Sequence, residues 1–135
     1  MGIINSVRDA LQTAIQGTGL NAYDNWADTV NAPACMIRPR DADFNLTFGA
    51  GNMTEYHFEA HVLVSFGPGL AAAQDAIDEY LAPTGAPSIR AAVQADTTLG
   101  GIVSLAVVTG WRDYGGKEVN GVEFIGAVVD LEVTV

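Results

Sequence analysis

Residues 55–66 read EYHFEAHVLVSF, and their periodicity decides the fold. Tyr56, Phe58, Ala60, Val62, Val64 and Phe66 fall at every second position, with Glu55, His57, Glu59 and His61 between the first of them. Side chains of a strand alternate between its two sides, so this pattern predicts a strand with one apolar face and one wet face. A parallel sheet of a nucleotide-binding fold is covered on both sides and reads as an unbroken apolar run. The alternation therefore argues for an antiparallel sheet packed on one side only.

Working outward, Phe44, Leu46 and Phe48 alternate with Asp43, Asn45 and Thr47 ahead of the break GAGN, which predicts the first arm of a β-hairpin with a glycine-rich tip. ACMIRPR, residues 34–40, reads as a short strand, and residues 20–33 as a loop with Tyr23 and Trp26 tucked onto the core. Ile4, Val7, Leu11, Ala14 and Ile15 repeat at helical spacing before the stop GTG. A second helix opens after GPG, with Leu70, Ala73, Ile77, Tyr80 and Leu81 on one stripe and Asp75, Asp78 and Glu79 off it. Pro83, Gly85 and Pro87 close it, and SIRAAVQA forms a short helix. An apolar strand from Ile102 to about Trp111, a turn at Gly115 and Gly116, and a last strand from about Val119 to Val135 complete the order. Strands in runs broken by helices indicate an α+β fold: a mostly antiparallel β-sheet packed on one face by two main α-helices, in a single domain over residues 1–135.

Sixteen acidic residues against six basic ones give a formal charge of −10, with only Arg38 and Arg40 approaching a basic pair. Phosphate binding needs clustered Lys and Arg, so direct nucleic-acid binding and contact with anionic lipid are both disfavoured. A surface that DNA slides past without adhering would carry this sign. Cys35 is the one cysteine, so no intrachain disulfide forms, and its apolar neighbours suggest a buried thiol. MGIINSVRDALQTAIQ lacks the basic start and unbroken apolar run of a secretory signal, and no stretch is long enough to span a bilayer.

Each chemical motif has a plainer reading beside it. His57, Glu59 and His61 offer three metal-capable groups on one strand face, but positions two apart lie roughly 7 Å from each other and zinc ligands must all come within about 2 Å of the ion. They cannot chelate one metal unaided, so a polar sheet face or subunit contact is the better reading. GPGLAA superficially fits a dinucleotide fingerprint, yet the strand before it is half polar. MGIINS matches a myristoylation pattern, and Asn45-Leu46-Thr47 and Asn52-Met53-Thr54 match glycosylation sequons, all short patterns that arise by chance. No Ser-His-Asp or Cys-His order stands out, and nothing argues for an enzyme, a catalytic residue or a cofactor. Trp111, Arg112, Asp113 and Tyr114 remain: Trp, Tyr and Arg are the types most enriched at binding hot spots, and the plainer reading is a core Trp and a decorated hairpin tip.

From the second helix onward, AAAQDAIDEYLAPTGAPSIRAAVQADTTLGGIVSLAVVTGWRDYGG and then VNGVEFIGAVVDLEVTV resemble the tail terminator proteins of long non-contractile-tailed bacteriophages, especially those of actinobacterial hosts. The resemblance rests on the helix-ending Tyr80-Leu81, the helix from Ser88, the DTTLGG lead-in to a strand, the W-x-x-Y-G segment and the closing strand. MTEYHFEAHVLVSF resembles the family's long strand, and the likeness covers roughly residues 33–135. It implies a non-enzymatic virion protein, assembled in the host cytoplasm, that closes as a ring, usually a hexamer, on the tail tube at the neck end. There it stops tube polymerisation and meets the head-tail connector, while double-stranded DNA passes through its lumen without specific binding. Six copies would bring about −60 formal charges around that channel. A ring needs one patch that meets a different patch on the next copy. Candidate contact residues for copies of itself, the tube protein or the connector are Trp111, Arg112, Asp113, Tyr114, Arg38, Arg40, Asn52, Met53, His57 and His61, with no metal, cofactor or membrane expected. The alternatives are another head-tail joining or tail-tube protein, or a small-molecule- or metal-binding domain using the His57 to His61 face.

Overall fold

The computed structural model describes residues 3–23, 33–44, 54–65, 69–119 and 121–135. Trp26, Leu46, Phe48, Asn52, Met53, Phe66 and the sequon asparagine Asn45 lie outside them. The elements run α1 (Ile3–Gln16), β1 (Asn21–Tyr23), β2 (Ala34–Asp43), β3 (Glu55–Ser65), α2 (Leu70–Leu81), α3 (Ile89–Gln94), β4 (Leu105–Val119) and β5 (Val122–Thr134). They build one five-stranded sheet in the order β1-β2-β3-β5-β4, antiparallel throughout except for the short parallel pair β1 and β2. The fold is α+β, and no described helix is long and apolar enough to cross a membrane.

All three helices pack on the same side of the sheet. Val7, Leu11 and Ile15 recur four residues apart along α1 and are fully buried, as are Ile77 of α2 and Val93 of α3. They meet Cys35 and Ile37 of β2, Phe58, Ala60 and Val62 of β3, and Val129, Leu131 and Val133 of β5 in a single cluster. Each large side chain taken out of water there contributes about 1.5–3 kcal/mol. Burial also pushes the Cys35 thiol up to about 12, because the thiolate finds nothing in the core to replace water. Ile4 and Leu70, expected on the buried stripes, are instead exposed at the helix starts.

Local chemistry sets the helix ends. Ser88 caps α3, accepting from the Ala91 amide at 3.1 Å and donating its hydroxyl to the Ala82 carbonyl, so one buried side chain closes both α2 and α3. Asp96 ties down the turn after α3 by accepting from the Gly100 amide at 2.8 Å and the Thr98 hydroxyl at 3.1 Å. That turn holds Leu99, Gly100 and Gly101 at positive φ, which delays the strand from the expected Ile102 to Leu105.

The sheet departs from simple alternation at three points. β2 runs to Asp43, and its register against β3 shifts between Pro39 and Asp41, leaving Arg40 as the extra residue of a bulge. On β4 the register against β5 shifts between Val108 and Gly110 and again between Arg112 and Gly115. β4 does not turn at Gly115 and Gly116, as the sequence suggested. Those glycines pair with Gly126 and Ile125, and the chain reverses only after Val119, with Gly121 at φ +80°. The segment from Trp111 to Tyr114 is therefore mid-strand and not a hairpin tip.

Candidate functional site

The side of the sheet away from the helices carries the densest chemistry. Alternation sends His57, Glu59 and His61 of β3 there, and the register sets Asp41 of β2 and Glu132 of β5 on either side of His57, Arg38 and Asp130 on either side of Glu59, and Asp43 beside Glu55. Arg112 of β4 arrives from the far strand, opposite Val128. Side chains from four strands thus meet on one surface.

They meet as a chain of ion pairs. The Arg112 guanidinium donates to Glu59, to Asp130 at 3.1 and 3.3 Å, and to Asp113 at 2.8 Å. Asp130 also accepts from Arg40 at 3.5 Å, and Arg40 donates to Asp41 at 3.3 Å. Asp41 bonds His57 Nδ1, and Glu55 Oε1 lies 2.6 Å from Nε2 of the same ring. His61 Nε2 stands 3.5 Å from Glu59. Mutual coverage leaves His57 only 9% exposed on a face read from sequence as wet.

Protonation follows these contacts. The hydrogen bond to Asp41 raises the His57 pKa, its burial opposes this, and Glu55 adds to the rise. The same hydrogen bond lowers Asp41, with Arg40 helping. His61 moves the other way: burial lowers its pKa, although Glu59 pulls it up. Hydrogen bonding to Asp130 and Glu59 holds Arg112 firmly charged.

The same strand serves a second surface. Trp111, paired with Val129, points to the helix side and is half exposed. It lines a cavity of about 210 Å³ with Tyr80, Leu81, Ile89 and Val108. Tyr114 joins it, ring centroids 5.9 Å apart, and its hydroxyl donates to Asp78 of α2 at 3.0 Å. Asp113, between them, takes a positive φ of 57°.

The structure thus divides the four consecutive residues 111–114. Arg112 and Asp113 join Arg40, His57 and His61 in the charged face, with Arg38 opposite Glu59, whereas Trp111 and Tyr114 form an aromatic rim above α2. Asn52 and Met53 lie outside the described residues. His57, Glu59 and His61 do not gather on one point, as their spacing foretold. His57 gathers instead with Asp43 and Glu55, whose ligand atoms and its own all lie within 4.8 Å of one another. Sequence reasoning missed this trio because Asp43 comes from another strand; the hairpin pattern around 43 and 55 was the signal that could have found it. No protein-family model matches the chain, and no curated protein matches it.

Proposed function

We propose that this chain is a structural subunit of a phage tail, which closes as a ring on the end of the tail tube, stops tube growth and meets the head-tail connector. The observation that carries the reading is the outer side of β4, beyond the one end where the Ala106 amide donates to the Thr97 carbonyl at 2.7 Å. β4 is a fifteen-residue strand with no neighbouring strand beyond it among the described residues, and Leu105 and Trp111 stand exposed along it. An unpaired edge is a template for another chain, and an exposed Trp beside it is the side chain most often found at an interface hot spot. At the opposite end of the sheet, β1 covers β2 only over residues 34–36, so the two sheet ends are unlike. A ring is built from two unlike patches. The resemblance of residues 33–135 to tail terminators supplies the partner.

The test is electron microscopy of the purified chain mixed with isolated tail tubes. One ring at the tube end is expected, and Trp111→Ala is expected to weaken docking or ring closure by about tenfold or more. Long tubes formed by the chain alone would make it a tube subunit instead, and failure to bind tube ends would end the proposal. Arg112→Ala should also weaken assembly, but with a loss of monomer stability, because Arg112 holds Glu59 and Asp130 within the subunit.

A further inference from the structure

His57 occupies an unusual position for a histidine on the side of the sheet away from the helices. Its Nδ1 is bonded to Asp41, and its Nε2 faces three further carboxylates: Glu55 Oε1 at 2.6 Å, Asp43 Oδ2 at 3.9 Å and Glu132 Oε1 at 3.9 Å. One imidazolium carries a single charge against these four acids. The Arg40 guanidinium is bonded instead to Asp41 and Asp130.

We propose that His57 Nε2, Glu55 and Asp43, with Glu132 as a fourth donor, form a binding site for a divalent first-row transition-metal ion, Asp41 holding the imidazole in position.

The arrangement of the two ring nitrogens carries this further than acidity would. A metal-ligating histidine typically donates its other N–H to a carboxylate, which fixes the tautomer and orients the ring. Asp41 stands in that place, and it does so only because the bulge at Arg40 brings it to the histidine's face. On the Nε2 side the donors already converge. Tetrahedral ligands about 2.0–2.2 Å from zinc lie about 3.3–3.6 Å from one another, and the ligand atoms of Asp43, Glu55 and His57 fall within 4.8 Å. Asp43 is exposed enough to close that gap by turning its side chain, and Glu132, outside the group of three but 3.9 Å from Nε2, is exposed enough to swing in, while Glu55 opens from its 2.6 Å contact as the ion replaces the proton between it and Nε2. Binding releases that proton to solvent. An imidazole nitrogen among carboxylate oxygens suits Zn²⁺ or Mn²⁺, whereas Mg²⁺ and Ca²⁺ favour oxygen-only sites. The ion would bridge β2, β3 and β5 at one end of the charged face. This proposal does not depend on the ring.

The experiment is calorimetric titration of the EDTA-stripped, dialysed chain with ZnCl₂ in the presence of excess Mg²⁺. One saturating equivalent per chain at micromolar affinity or tighter is expected. Asp41→Asn should weaken it by about 10–100-fold, His57→Gln should abolish it, and His61→Gln should leave it unchanged. Circular dichroism of the metal-free variants shows whether each still folds. Nitrogen NMR of the unmodified chain needs no variant: Zn²⁺ should shift His57 Nε2 to a metal-bound position while Nδ1 keeps its proton. Absence of saturable binding, displacement by Mg²⁺, undiminished binding in a folded His57→Gln chain, or a shift confined to His61 would each overturn the site.

Discussion

Gly126, midway along β5, shows how closely the strands are fitted. A Cβ added there would stand 2.6 Å from the Val62 carbonyl oxygen, 2.8 Å from Lys117 Cγ and 3.0 Å from Leu63 Cδ2. Lysine can move aside; a carbonyl held in the sheet cannot. Gly126→Ala is therefore expected to destabilise the fold by about 1–3 kcal/mol, the usual range for overpacking, measured by urea unfolding. A second residue-scale consequence is a pH window. His57 is raised above its ordinary 6.5, so its contribution is complete below that value and fades as pH climbs through its folded pKa. Asp41 is lowered below its ordinary 3.8, so its contribution is complete above that value and fades as pH falls through its folded pKa. Together they favour the fold most between about pH 4 and 6.5. His61, lowered by burial, works against His57 as pH drops through 6.5. The clean measurement is thus a difference in metal-free protein: the stability advantage of the unmodified chain over His57→Gln should be larger at about pH 5.5 than at about pH 8.5. An equal advantage at both would show that folding leaves the His57 pKa at its ordinary value.

At the scale of elements, the sequence was legible where period and face agreed. Val7, Leu11 and Ile15 on α1, Ala73 and Ile77 on α2, and Phe58, Ala60, Val62 and Val64 on β3 all face the core as their spacing predicted. The punctuation from Pro83 to Pro87 likewise divided α2 from α3. Bulges defeated the reading elsewhere. Counting strictly by twos from Arg38 puts Asp41 on the helix side, yet the extra residue at Arg40 returns it to the face of His57. The same counting along β4 from Val108 puts Trp111 with the charges, and the shift before Gly110 sends it to the helices. A bulge leaves no reliable mark in a single sequence because it is settled by which pairing the whole sheet prefers. The double glycine was misread for a related reason. Gly115 and Gly116 are turn formers by propensity, but pairing with β5 keeps them extended, and the reversal falls to the glycine at 121. Tyr23 went to a three-residue strand held by parallel pairing with β2 and by the Gln12 amide donating to the Ala22 carbonyl at 3.0 Å, contacts too distant in sequence to leave a local pattern.

For the whole molecule, the division into a helix layer and a charge-bearing sheet face sorts the basic residues. Arg38, Arg40, Arg112 and Lys117, four of the six basic residues, belong to β2 and β4, while Asp75, Asp78 and Glu79 stand exposed on α2. The aromatic rim lies where those surfaces meet the outer strand. Trp111 is 51% exposed, and Trp26 is the only other tryptophan in the chain. A Trp26→Phe variant would make Trp111 the sole indole emitter, so the rim becomes its own optical gauge. Water-facing indole fluoresces toward the red and is open to iodide; once a tube end or a second copy seals it, its emission should move to the blue and the quenching should fall. A spectrum unchanged on docking would mean that the partner sits elsewhere on the subunit.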